Sequence, residues 1–171
     1  MTVSRPASPL DLWVRVDDRL IHGQVTLGWR QHLRYTEIWV VDDLVRADPF
    51  VPDVLRLSAP AGVSVQVYGI EEAAAAWSRA VREPAAGRKV LLLVKQPQAV
   101  LALIEAGLPV SHLNVGNLAA RPGSRRAFKA ISLTPEHTAA LDALAGRGVR
   151  ITFQLAPEDA ARDWPAVRQG L

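Results

Sequence analysis

Lys89-Val90-Leu91-Leu92-Leu93-Val94 is the stretch that decides the fold. Every position from Val90 to Val94 is apolar, so neither face of this segment suits water. A half-exposed strand alternates apolar and polar residues, whereas a short continuous run suits a central parallel strand covered on both faces. Similar runs recur on either side of it: Leu12–Asp17, Glu37–Asp42, Val63–Tyr68, Ser111–Val115 and Val149–Leu155, with Phe128–Leu133 as a further strand. Amphipathic or alanine-rich stretches separate them and read as helices: Gln24–Arg34, Pro49–Ser58, Glu71–Arg82, Pro97–Ala106 and Pro135–Ala145. Asp48-Pro49 and Thr134-Pro135 each set a capping side chain before a proline at the first helical position. Gly107 and Gly146 sit where helices should stop. The alternation predicts a three-layer α/β/α single domain with a mostly parallel central sheet.

The chain has 171 residues, of which 49% are hydrophobic, enough for one substantial core. Cysteine is absent, which excludes a disulfide scaffold, a thiolate metal site and a thiol nucleophile. No apolar run approaches the roughly 18 residues that span a bilayer. Met1 to Asp11 lack the apolar stretch of a signal peptide and read as a loose polar tail, leaving 12–171 as the domain. The formal net charge is only +3, and the arginines are scattered, which argues against a nucleic-acid surface.

In open parallel sheets, ligands bind beyond the carboxyl ends of the strands. That rule points to the loops after Val16, Val41, Tyr68, Val94 and Val115. The first reads Val16-Asp17-Asp18-Arg19-Leu20-Ile21-His22-Gly23-Gln24-Val25. It sets two carboxylates, a guanidinium, an imidazole and a glycine between a strand end and a helix start. A helix amino terminus favours a phosphate or another anion. Gly23 lets backbone approach a bound group, and Arg19 can grip phosphate oxygens in bidentate fashion. An imidazole, with a reference pKa of about 6.5, is a usable nitrogen nucleophile near neutrality. These parts suit a histidine that accepts a phosphoryl group and passes it on, since that chemistry needs mainly positioning and charge stabilisation. The plainer alternative is a bystander histidine, with Asp17 and Asp18 capping the turn or helix.

The stretch Arg15 to Val25, followed by Trp29, resembles the active-site signature of the IIB subunits of the mannose/fructose/sorbose class of the bacterial sugar phosphotransferase system. Later segments agree. Val40-Val41-Asp42-Asp43-Leu44-Val45-Arg46-Ala47-Asp48-Pro49-Phe50 is similar to the family's second strand and loop, and Leu113-Asn114-Val115-Gly116-Asn117 to its Asn-Val-Gly-Gly segment. Ile131-Ser132-Leu133-Thr134-Pro135-Glu136 and Gly148-Val149 fall where its last helix and strand lie, so the likeness covers about residues 12–165. It implies a cytoplasmic phosphocarrier, peripherally associated with an inner-membrane complex, that takes phosphate from a phosphohistidine on a IIA partner. By that resemblance the phosphate would ride on Nδ1 of His22 and go to a sugar entering through membrane IIC and IID subunits. The implied enzyme class is a protein-phosphohistidine–sugar phosphotransferase that needs no cofactor. Arg19 would steady the phosphoryl oxygens, Asp17 or Asp18 would orient Arg19 or the imidazole, and Gly23, Gln24, Asn114 and Gly116 would support the loop. Asn117 departs from the family's second glycine, and the loop after it, Ala119 to Arg126, carries arginines where the family favours lysines. An orphan module phosphorylated for signalling, or an anion-binding domain without transfer activity, would show nearly the same residues.

Other residues carry competing readings. Asp42, Asp43 and Asp48 suit either a magnesium site or, for Asp48, a helix cap. His32 and His137 read as surface helix residues and His112 as a strand opener that can pack. Arg121, Arg125 and Arg126, in a long polar loop from Gly116 to Arg126, form either a solvated loop or a docking patch for an acidic face of IIA or IIC. The tryptophans read as core, with Trp29 alternatively supporting the active loop. A homo-oligomer is compatible with the sequence. No G-x-G-x-x-G or Walker loop occurs, against a nucleotide-binding enzyme.

Overall fold

The computed structural model describes residues 10–171. Strand β1 (Asp11–Asp17) leads through a loop into a π-helical segment (Gln24–Trp29) that continues as α1 (Arg30–Leu33). There follow β2 (Glu37–Val41), α2 (Asp43–Ala47), α3 (Val51–Leu57), β3 (Ser64–Tyr68), α4 (Ile70–Arg82), β4 (Lys89–Val94) and α5 (Pro97–Glu105). The second half adds β5 (His112–Asn117), β6 (Arg125–Phe128), β7 (Ile131–Leu133), α6 (Pro135–Gly146), β8 (Arg150–Phe153), β9 (Arg162–Asp163) and α7 (Trp164–Arg168). The main sheet runs β3-β2-β4-β1-β5-β8-β9, all parallel except β9, and β6 and β7 form a separate antiparallel pair.

The apolar run sits near the middle of the sheet, as its composition requires. Val90 to Val94 are each 1% exposed or less. Because side chains alternate along a strand, Val90, Leu92 and Val94 join one core with Trp77, Val100, Leu103, Leu141 and Trp164. Leu91 and Leu93 join a second core with Val25, Tyr35, Val45 and Leu55. Helices therefore cover both faces, giving the three layers expected. The chain leaves β1 toward β2 on one side and leaves β5 toward β8 on the other. Their loops diverge at the β1/β5 boundary, the kind of crevice where α/β domains bind ligands.

Several local expectations need correcting. Of the tail expected over 1–11, Leu10 is instead packed in the core and Asp11 opens β1, while residues 1–9 lie outside the described residues. Pro49 does not start a helix. Asp42 caps a short helix of its own by accepting from Val45 N at 2.8 Å, and Asp48 accepts from Phe50 N and Val51 N before α3. The strand expected over Phe128–Leu133 is a hairpin, reversed where Lys129 takes a φ of 45°. β6 claims Arg125 and Arg126, and β5 runs on to Asn117, which shortens the loop expected from Gly116 to Arg126. The helix expected over Gln24–Arg34 opens as a π-helix, a rare winding that concentrates at functional sites.

Candidate active site

The loop from Asp17 to Gly23 is folded back on its own first residue. Leu20 takes a left-handed φ of 59° and its N–H donates to Asp17 O at 3.0 Å. A leucine is strained there by about 1–2 kcal/mol, but its side chain is buried in the core beside Val25 and Tyr35, which holds the turn. The reversal brings Arg19 and His22 onto one carboxylate. Asp17 Oδ1 accepts from Arg19 N at 3.2 Å and Arg19 Nε at 3.0 Å. Asp17 Oδ2 lies 3.2 Å from Arg19 Nη2 and 2.9 Å from His22 Nε2. An ionised carboxylate can only accept, so His22 Nε2 carries the proton and Nδ1 keeps the free lone pair. Arg19 Nη2 also donates to Gln24 Oε1 at 3.1 Å, which leaves Nη1 without an acceptor among the described residues. Thr26 N and Oγ1 both donate to His22 O, which pins the histidine backbone to the first helical turn.

Beneath Asp17 lies a residue that sequence reasoning passed over. Arg15 is fully buried on the same face of β1. Its Nη2 donates to Asp17 Oδ2 at 3.1 Å and to Leu155 O at 3.0 Å. Its Nη1 donates to Gln154 O at 3.0 Å and makes a close bond to Asn114 Oδ1. The guanidinium lies 5.0 Å from the Trp29 ring centre, and Trp29 Nε1 donates to Leu155 O at 3.0 Å. Gly116 completes the cradle, because a Cβ there would overlap the guanidinium. The β1/β5 register slips by one residue at this glycine, since Val16 faces Val115 and Asp17 faces Asn117. The available signal was an arginine inside an otherwise apolar strand, where a charge survives only if paired.

Burial by itself would push the Asp17 carboxyl up. The hydrogen bonds from His22 and Arg19 and the charge of Arg15 outweigh it and hold the group down at about 2, from an ordinary 3.8. Burial pulls the Arg15 guanidinium down to about 10, and Asp17 restores part of the loss, so both remain ionised at neutral pH. A carboxyl with a depressed folded pKa stabilises the fold above its unfolded value, and the gain is lost as pH falls through the folded value. Protein stability should therefore drop by about 2 kcal/mol between pH 4 and pH 2 through Asp17 alone. Urea unfolding across that range should show a shallower decline for Asp17→Asn than for wild type; equal slopes would remove the linkage.

Asp18, the other candidate carboxylate, does not touch His22. It accepts from Asn117 Nδ2 at 2.6 Å and Ala119 N at 2.8 Å, and Arg121 Nη2 lies 3.9 Å away. Asp17 thus orients the imidazole and Arg19, while Asp18 ties the β1 loop to the β5 loop.

A family model for the sorbose subfamily IIB component of the phosphotransferase system matches residues 12–169. The chain belongs to this family. Its relatives include the sorbose-specific EIIB component of Klebsiella pneumoniae, 34% identical over 145 residues, 85% of this chain and 87% of the relative. The fructose-specific EIIB component of Bacillus subtilis is 30% identical over 150 residues, covering 88% of this chain and 90% of the relative. The crystal structure of the IIBSor domain of the Klebsiella pneumoniae sorbose permease superposes with a TM-score of 0.85 at 30% identity, covering 94% of this chain and 97% of that one.

This IIB component is therefore a phosphocarrier of the phosphotransferase system, a system whose IIB components work with IIA and membrane IIC and IID partners. Among its described residues, no helix is long and apolar enough to cross a membrane. Of the residues expected at its site, Arg19, Asp17, His22, Gln24, Asn114 and Gly116 converge, and Asp18 joins at the rim. Gly23 has ordinary helical angles, and a Cβ there would meet nothing, so the backbone does not require a glycine. Of the three loop arginines only Arg121 approaches the rim; Arg125 bonds the Leu171 carbonyl, and Arg126 sits exposed in β6. Asp42, Asp43 and Asp48 do not converge but cap three separate backbone segments. His137 is not on the surface. It is 3% exposed, its Nδ1 accepts from Thr134 N, and burial lowers its pKa. His112 packs against Trp13, its Nε2 lies 3.1 Å from Thr152 Oγ1, and burial lowers its pKa too. His32 is exposed with its ring edge-on to Trp29.

Proposed function

We propose that His22 is the phosphoacceptor, taking a phosphoryl group on Nδ1 from a phosphohistidine of a separate IIA protein and passing it to a sugar translocated by IIC and IID. The observation that carries this reading is the 2.9 Å contact between His22 Nε2 and Asp17, which leaves Nδ1 as the nucleophilic nitrogen. In the first step the Nδ1 lone pair attacks phosphorus in line, the bond to the donor imidazole breaks, and that imidazole leaves with its electron pair. The positive charge developing on the His22 ring is met by the Asp17 carboxylate through Nε2–H. Arg19 Nη1 is free to bond the phosphoryl oxygens, and Asp17 holds that fork in place.

In the second step a sugar hydroxyl attacks phosphorus, the Nδ1–P bond of His22 breaks with its electron pair returning to Nδ1, and the hydroxyl must lose its proton. Asp17 is a poor base for this, held down at about 2 with its oxygens occupied by donors. The base is then supplied by the partner that presents the sugar.

The test is to incubate the protein with phosphoenolpyruvate, Enzyme I, the HPr carrier and a cognate IIA. An acid-labile phosphate on this chain is expected, and its absence would sink the reading. Arg19→Ala should keep the fold and slow transfer by roughly 10²–10³, the loss typical of removing one aligned oxyanion contact. Unchanged transfer kinetics in that variant would strip Arg19 of its role.

A further inference from the structure

Among the described residues, β3 closes one side of the sheet and nothing pairs with its outer edge. Ser64 N donates to Thr36 O and Asp42 N donates to Tyr68 O, so Ser64, Gln66 and Tyr68 turn their main-chain groups toward β2. Main-chain directions alternate along a strand, so the N–H and C=O groups of Val65 and Val67 face outward. Their side chains remain in the core, with Val67 only 3% exposed. The edge is thus anchored by packing and still offers two unpaired residues.

A cavity of about 390 Å³ lies along this edge, lined by Val67, Gln66 and Tyr68 of β3, by Arg46 and Arg56 from the α2–α3 layer, and by Arg79 from α4. Arg46 spends Nε and Nη2 on Glu72, and Arg56 spends Nη1 on Asp53. Glu72 also lines the groove, and Arg79 has no hydrogen bond or ion pair among the described residues, so three arginines face one lining carboxylate and the groove carries surplus positive charge. The Gln66 side chain is exposed and likewise has no hydrogen bond among the described residues. The α3 wall that bears Arg56 also exposes Val54 and Leu57, at 59% and 88%.

We propose that the β3 edge is a docking groove for an extended acidic segment of a partner protein, which adds a strand to the sheet. Main-chain bonds to Val65 and Val67 supply the pairing, and carboxylates meeting Arg46, Arg56 and Arg79 supply the selectivity. A second copy of this chain is the wrong occupant. Two-fold pairing of β3 edges would bring two sets of arginines together, the arrangement that guards an edge against self-association. The groove lies three strand spacings, about 14 Å, from β1, and its use is independent of phosphoryl transfer at His22.

The test uses two synthetic peptides, acetyl-Glu-Val-Glu-Val-Glu-Val-Glu-amide and its lysine counterpart, titrated into the full chain and followed by amide NMR and hydrogen exchange. The acidic peptide should shift resonances from Ser64 to Tyr68 and slow exchange at Val65 and Val67. The ladder amides of Gln66 and Tyr68, already bonded to β2, should change little. Arg79→Glu should weaken this binding about tenfold with the fold intact. Three results overturn the proposal: no shift at millimolar acidic peptide, equal binding of the lysine peptide, or concentration-dependent protection of Val65 and Val67 without peptide. The first leaves the arginines as a guard on a bare edge; the last makes the edge a self-association surface.

Discussion

His22→Ala should carry no acid-labile phosphate under conditions that label wild type, a loss of roughly 10³ or more, as for removal of a nucleophile. The other three histidines offer no substitute. His137 is buried in a capping role, His112 is held against Thr152 and Trp13, and His32 lacks a carboxylate to orient it. The fold should survive, because the His22 side chain is on the surface side of Asp17 and only partly buried. Losing it still leaves Asp17 paired with Arg15 and Arg19. Circular dichroism and urea unfolding should therefore stay near wild type while labelling vanishes. Phosphorus NMR of the wild type should place the phosphoryl group on Nδ1. A phosphoryl group on Nε2 would contradict the Asp17 contact, and labelling of His22→Ala at the wild-type rate would dismiss His22 altogether.

Gly116→Ala should be the most damaging single-methyl change in the protein. The added Cβ would overlap the Arg15 guanidinium, which has no direction in which to retreat. Asp17, Asn114 and the carbonyls of Gln154 and Leu155 fix its ends, and Trp29 covers its face. Displacing it strips a buried charge of its partners and removes a donor from Asp17, a class of change that costs about 3–5 kcal/mol. The shift should appear in the urea midpoint, together with slower phosphoryl transfer because Asp17 loses its support. In an Arg15→Ala background the same glycine substitution should cost far less, since the clash is gone. A double-mutant cycle measures that coupling. A loss under about 1 kcal/mol for Gly116→Ala alone would show that Arg15 is free to move and is not a support.

Much of this was legible in the chain because it depends on local pattern. The run Val90 to Val94 named a doubly covered strand, and the alternation around it named the layers. Thr134-Pro135 started α6 as expected, and the loop from Asp17 to Val25 announced the site. What failed was also local, where two readings competed. Asp42 suggests a metal ligand by residue type, yet it caps a short helix of its own, and Asp48 serves the turn before the next one. Lys129 accepts a left-handed turn that its residue type does not advertise.

The sequence by itself determined the class of fold, the position of the candidate loop after β1 and the residue types available to it. Periodicity and capping act over a few residues and are written in the order of the chain. The tertiary structure alone decided which carboxylate orients His22, that Arg15 supports it from below, and that Gly116 leaves the room to do so. The Asp17–His22 contact is local, but the contacts that hold Arg15 in place join β1 to β5 and to the segment after β8, across 99 to 140 residues of chain. Only parallel pairing of distant strands brings them within bonding distance. The charge on Arg15 is tolerable in the core for the same reason, since every partner that neutralises it beyond Asp17 comes from elsewhere in the fold.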